Sequence, residues 1–337
     1  MELHFWREEG KGFEIDHMVY FDGKEETEIT RSMTHEAILR VLPPYISSFH
    51  KDLAKAEKGK LRWSVSRERC FLSFELVREE DPQRRAIFGS HLMLTGDFVS
   101  HIQNLIHLPG LRGNPRRTYP NTAGGPQFQG TFEPYVASVV AQWQSTRDNR
   151  LADVAAALEE MGLTWKVEAK AVDDTQVELR VGRLSHSRRG GARDLVNIAD
   201  VGFGVSQALP VVVALVAARA GQLVYLEQPE IHLHPLAQRR LAKVLLSAVE
   251  RGVVAIVETH SALLLREVQT LVATNQLARD LVKLHWVQRG PDGASTVIAA
   301  DLDENGAYGE WPEDFDQTGL EAEKEYLDAV ERREARI

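Results

Sequence analysis

From residue 223 to residue 273 the chain alternates short apolar runs with amphipathic stretches. Leu223–Leu226 (LVYL) and Val253–Val257 (VVAIV) are continuous apolar runs, the pattern of strands covered on both faces. Between them, Leu236–Arg251 predicts a helix. It carries Leu241, Val244, Leu245, Ala248 and Val249 on one face and Gly252 as its stop. Ala262–Ala273 predicts a further helix. Leu281–Gln288 and Ser295–Ala300 predict two strands joined by a Gly290–Gly293 turn. Buried strands alternating with helices imply an α/β chain built on a parallel, helix-covered sheet.

The first half reads differently. Phe71–Val77 (FLSFELV) alternates like a half-buried strand, and His50–Lys60 reads as a solvated helix ending at Gly59. Asn149 or Asp148 caps a helix running through Met161, with Leu151, Val154, Ala155 and Leu158 on one face and Gly162 as stop. Trp165–Ala169 and Thr175–Val181 follow as strands. Residues 109–130 are dense in Pro, Gly and Asn, and ordered loops of that length usually have a task. Gly182–Asp194 carries Arg183, Arg188, Arg189 and Arg193; it reads as a flexible hairpin loop or as a basic finger for a phosphate backbone. The expected organisation is an irregular α+β region over 1–194, the alternating region over 195–300, and a polar tail over 301–337 that ends in a charged helix.

Composition narrows the function classes. Across 337 residues, 40 Lys+Arg against 49 Asp+Glu give a net charge of −9, against a bulk basic coat for nucleic acid. The single cysteine, Cys70, excludes an intramolecular disulfide framework and a cysteine-rich zinc site, and it fits a reducing compartment. The longest apolar run, Leu209–Ala218, includes Pro210 and is about half the length of a membrane-spanning helix. No membrane association is expected, and a cytoplasmic location follows by default.

Three motifs within about 60 residues carry the candidate chemistry. Asp200–Pro210 (DVGFGVSQALP) places Gly202 and Gly204 before a helix expected to begin at Ser206, with Pro210 in its first turn. Free N–H groups at such a helix start suit a phosphate, whereas a plain reading is a glycine turn before a buried helix. Leu223–Pro235 (LVYLEQPEIHLHP) is an apolar strand ending in Glu227, Gln228 and Glu230. A carboxylate at the carboxyl end of a parallel strand faces the crevice where such sheets bind ligands, and can hold Mg²⁺. His232 and His234 form an H-x-H pair, but no third ligand stands at matching spacing for zinc. Val253–Leu265 (VVAIVETHSALLL) ends its strand at Glu258, Thr259, His260 and Ser261. His260 would lie beside Glu227 if the two strands are neighbours, where an imidazole can sense a γ-phosphate or orient a water.

In this order and spacing, the motifs resemble the C-terminal half of the ABC-type nucleotide-binding domain. The closest likeness is to the overcoming-lysogenization-defect and RecF-like AAA ATPases, a branch linked to DNA repair and phage defence. GFGVSQ resembles the signature motif, LVYLEQPE resembles Walker B, IHLHP the D-loop and ETHS the switch-histidine motif. LPGLRGNPRRTYP and GAYGEWPEDF are similar to further segments of that branch. The resemblance implies a RecA-like P-loop fold in which ATP and Mg²⁺ are sandwiched between two subunits, from a homodimer or an ATPase partner chain. It implies that Glu227 is the metal-side carboxylate and His260 the γ-phosphate switch. Gly202, Gly204, Ser206 and Gln207 would reach the partner's ATP, and His234 would sit in the D-loop. Nucleic acid or an effector nuclease are the further partners it implies.

Two departures qualify the resemblance. No G-x-x-x-x-G-K-[ST] phosphate loop occurs, so the Walker A lobe is expected before residue 1 or on a partner chain. Gln228 stands where ABC ATPases usually carry a catalytic glutamate; it is no general base but can orient water, and Glu230 is a candidate substitute. The expectation is slow hydrolysis suited to a switch. The alternative is a truncated or degenerate, non-hydrolysing interaction module. A topoisomerase-primase nuclease would need metal-binding Asp301 and Asp303, but only 34 residues follow them, too few for that domain. For nucleic-acid contact the candidates are Arg112, Arg116 and Arg117 together with the 183–193 arginines; salt bridges within an irregular loop are the equal alternative.

Overall fold

The computed structural model describes residues 2–8, 12–21, 26–42, 46, 61–68, 71–78, 96–122, 128–186, 194–308, 321, 324–329 and 332–333. His50–Lys60, Cys70, Arg188, Arg189, Arg193 and most of GAYGEWPEDF lie outside them. The chain forms two compact units, Met1–Ile102 and Gln103–Ile337. Packing therefore divides the chain at 102/103, because the segment from 103 to 194 shares one apolar core with the alternating region that follows it.

In the first unit, β1 (Glu2–Glu8), β2 (Gly12–Phe21) and β3 (Glu26–Thr30) form an antiparallel meander. Helix α1 (His35–Val41) is capped by Thr34, whose hydroxyl accepts from the Ala37 amide at 3.3 Å. Strands β4 (Leu61–Glu68) and β5 (Phe71–Arg78) pair as a hairpin. The alternation in FLSFELV is expressed as predicted, with Leu72, Phe74 and Leu76 turned into a core shared with Ile15, Met18, Ile38 and Trp63.

Helix α2 (Gly96–Gln103) leads into β6 (Ile106–Leu108) and the short β7 (Tyr119–Pro120). Helices α3 (Val136–Thr146) and α4 (Arg150–Glu160) follow. The predicted stop of α4 holds, since Gly162 has φ +76°, a conformation open to glycine at little cost. Strands β8 (Val167–Ala171), β9 (Gln176–Gly182) and β10 (Leu195–Asn197) make an antiparallel sheet, with β9 also pairing β7.

The alternating region forms α5 (Phe203–Ala217), β11 (Leu223–Glu227), α6 (Pro235–Glu250), β12 (Val254–Glu258) and α7 (Ala262–Ala273), with the strands and helices of 223–273 in the predicted order. It ends in the antiparallel pair β13 (Lys283–Arg289) and β14 (Ser295–Asp301). The parallel sheet has the order β12-β11-β6. Its third strand is the segment 106–108, which no sequence pattern singles out. Val224 and Leu226 of β11 share a face with Ile106 and Leu108 of β6, and all four are fully buried beneath α5, while α6 packs on β12. The opposite face departs from the expected cover on both sides: Val254 and Ile256 of β12 are 53% and 50% exposed. Among the described residues, no helix is long and apolar enough to cross a membrane.

Candidate functional site

The carboxyl end of β11 gathers the predicted chemistry. Parallel pairing sets Glu227 opposite Glu258 of β12. One Glu227 oxygen accepts from His107 Nε2 at 2.8 Å and the other from the Gly110 amide at 3.0 Å. The Gly110 amide first, and His107 second, hold this carboxyl below the ordinary carboxylate range. The His107 ring stacks on Tyr225 at 5.1 Å, and the Tyr225 hydroxyl donates to Glu258 at 3.1 Å. His107, Gly110 and Tyr225 were not legible as site residues. His107 and Gly110 lie about 120 positions from Glu227, and only the β6–β11 register brings them to it.

The connection from β11 to α6 is tightly specified. Gln228 takes φ +42° and His232 φ +64°, left-handed conformations uncommon outside glycine. The Gln228 amide continues the ladder to the Glu258 carbonyl at 2.7 Å. Glu230 is 7% exposed, and its Oε1 accepts from the Thr259 hydroxyl at 2.7 Å and the His260 amide at 3.0 Å. Those bonds tie the two strand ends together, the task of a strut more than of a free base. The Ser261 hydroxyl donates to Gln238 at 2.7 Å, and Gln238 in turn donates to the Leu233 carbonyl at 3.0 Å. His234 caps α6, accepting from the Leu236 amide at 3.4 Å. His234 thus has a structural task at the start of α6.

The glycine-rich motif opens α5, with Gly202 as an N-cap that supplies no side-chain bond. The helix begins at Phe203, three residues earlier than expected. Pro210 therefore sits in the helix interior, where it leaves the Ser206 carbonyl without its usual i+4 donor. Ser206 and Gln207 are turned inward. The Ser206 hydroxyl donates to the Phe203 carbonyl at 3.0 Å, and the Gln207 amide donates to the Gly113 carbonyl at 3.2 Å. Gly202 and Phe203 remain exposed at the helix start, with the Phe203 ring 5.7 Å from His232.

The arginines separate. Arg112 is 8% exposed and bonded internally, so it is not a surface group for a phosphate backbone. Arg117 pairs with Asp200 at 2.8 Å, while Arg116 and Arg183 are exposed. Asp301 pairs with Lys283, and Asp303 accepts from the Asn305 and Ala307 amides, a polar turn. No set of three His, Cys, Asp or Glu is gathered for a metal among the described residues.

Residues 15–266 match the family described as AAA domain, putative AbiEii toxin, Type IV TA system. The chain belongs to this AAA-domain family. No curated protein matches it. Among solved structures, an SMC ATPase described for ATP-driven dimerization and DNA stimulated activation is 13% identical, with a TM-score of 0.36, covering 55% of this chain and 96% of that one. The SmcHead bound to the C-winged helix domain of ScpA is 14% identical, with a TM-score of 0.39, covering 72% and 68%. The SMC head domain from Thermotoga maritima is 11% identical, with a TM-score of 0.31, covering 71% and 68%.

The AAA-domain assignment implies nucleotide with Mg²⁺, and the β11 end fits the ion. Magnesium retains several waters and takes one or two carboxylates beside phosphate oxygens, so a single ionised carboxylate at a strand end suffices. Glu227 is such a group.

Proposed function

We propose that this AAA-domain chain is an ABC-type ATPase unit that binds Mg²⁺–ATP at the carboxyl ends of β11 and β12 and hydrolyses it slowly in a dimer. The observation that carries the reading is Glu227, held ionised by Gly110 and His107 beside the strand that leads to His260. In this role Glu227 holds the metal, directly or through water. Gln228 orients a water without taking its proton, His260 reads the γ-phosphate, and Gly202 and Gly204 open the α5 start toward a second subunit's nucleotide. Mg²⁺ would neutralise charge developing on the phosphoryl oxygens. We place the chain in the overcoming-lysogenization-defect/RecF-like branch, as a switch in DNA repair or phage defence whose partner is nucleic acid or an effector nuclease. No G-x-x-x-x-G-K-[ST] sequence stands among the 337 residues, so the reading needs a phosphate-binding element besides the residues named.

A second reading, a non-hydrolysing interaction module, is favoured by Gln228 and by the lack of a G-x-x-x-x-G-K-[ST] sequence. Calorimetry with Mg²⁺–ATP separates the two. Binding that Glu227→Gln abolishes supports the ATP site within this chain. Binding undiminished by that change puts nucleotide elsewhere and overturns the assignment. No binding by the chain alone favours the module, or a lobe supplied in trans.

A further inference from the structure

Arg112 is a buried cation that makes no ion pair among the described residues. Its guanidinium donates instead to neutral acceptors on three segments: the Pro109 carbonyl at 3.2 Å, the Glu227 and Gln228 carbonyls at 3.4 and 3.3 Å, and Gln207 Oε1 at 3.3 Å. Gln207 closes the figure by donating to the Gly113 carbonyl at 3.2 Å. Burial pulls the Arg112 pKa down, and the Glu133 and Glu230 carboxylates oppose this through space. Burying a charge without a direct partner is costly. The planar fork makes that cost structurally useful, because its five fixed donors bond several acceptors at once. A lysine ammonium presents a single point and cannot span the same set.

We infer that Arg112 is a positioning residue that couples the carboxyl end of β11 to the glycine-rich start of α5. Movement of the Glu227–Gln228 backbone is passed through the guanidinium to Gln207, and the reverse. The strut rests on geometry alone. Its meaning, that occupancy at Glu227 reorders the segment offered to a second subunit, rests on the ATP reading above.

Hydrogen exchange on the intact chain without nucleotide tests the strut. The reporters are the hydrogen-bonded amides of Gln228, Ile231 and Leu233 at one end and Val205 at the other. Gln207→Leu cuts the α5 arm at its bonds to Arg112 and Gly113, yet the coupling predicts about tenfold faster exchange at Gln228 and Ile231, the size expected for losing the bond to the charged guanidinium. Arg112→Lys should loosen both ends while the α6 amides keep their protection. A Gln207→Leu effect confined to α5, or an Arg112→Lys chain that exchanges like wild type, overturns the inference. Should Arg112→Lys also melt α6, the Gln207→Leu result decides alone. Mg²⁺–ATP is then added. If Gln207→Leu gives the predicted effect while nucleotide leaves the wild-type amides unmoved, the strut stands and the reading of an ATP site within this chain alone fails.

Discussion

The ionisation of Glu227 is favoured by two donors, the Gly110 amide and His107 Nε2, one on each carboxylate oxygen. A carboxylate accepting a main-chain N–H and an imidazole N–H is stabilised in its charged form. Its folded pKa therefore lies below the ordinary 4.5. The sign follows: the stabilisation is complete above the ordinary value, neutral pH included, and is lost as pH falls through the depressed one, so only its loss is confined to the acid range. Gly110 is the larger cause and His107 the second. His107→Ala should thus move the Glu227 titration upward. The ¹³C shift of its carboxyl against pH reads this directly, and an unmoved titration would show that the Gly110 amide alone sets it. Arg112 gives the converse lesson. In sequence an arginine in a Pro- and Gly-rich loop reads as a surface cation, and only the fold shows its acceptors to be backbone carbonyls at the end of β11.

Among the elements, those with long periodic patterns were legible. Helix α6 follows the apolar stripe of Leu241, Val244, Leu245 and Ala248, and β11 and β12 follow their continuous runs. What failed was shorter or locally ambiguous. Strand β6 is three residues long and has too few positions to show a period. Pro210, tolerated best in a first turn, predicts an α5 start at Ser206, whereas burial of the whole helix overrides that local preference and the helix starts at Phe203. Turn glycines show the same dependence on tertiary context. Gly306 has φ +73°, and a Cβ there would meet the Gln269 carbonyl of α7 at 2.3 Å. Gly306→Ala combines a left-handed strain of about 1–3 kcal/mol with that clash. It should lower the denaturation midpoint and release the 301–308 turn from α7, seen as faster exchange of the Asp303 and Gly306 amides. An unchanged midpoint would mean that the turn shifts freely.

At the scale of the whole chain, the apolar residues fall into two cores that share no buried member. One joins Ile15, Met18, Trp63 and Phe74; the other runs from Ile106 through α5 to Tyr308. Cooperativity follows contiguous packing, so each core should open as its own unit. Leu209 is 1% exposed in the second core, and Leu209→Ala removes its side-chain packing at a cost of about 2–5 kcal/mol. That loss should speed exchange in α5, β11 and β12 and leave β2, β4 and β5 at their wild-type rates. Trp63→Ala, in the first core, should do the reverse at a cost of about 3–5 kcal/mol. Accelerated exchange in β4 and β5 on Leu209→Ala would reveal one cooperative body. The hydrophobic pattern changes near 194, while the two compact units meet at 102/103. The break at 102/103 instead follows the partners of β6, because a strand of three residues next to Glu227 commits the loop behind it to the same core as the site.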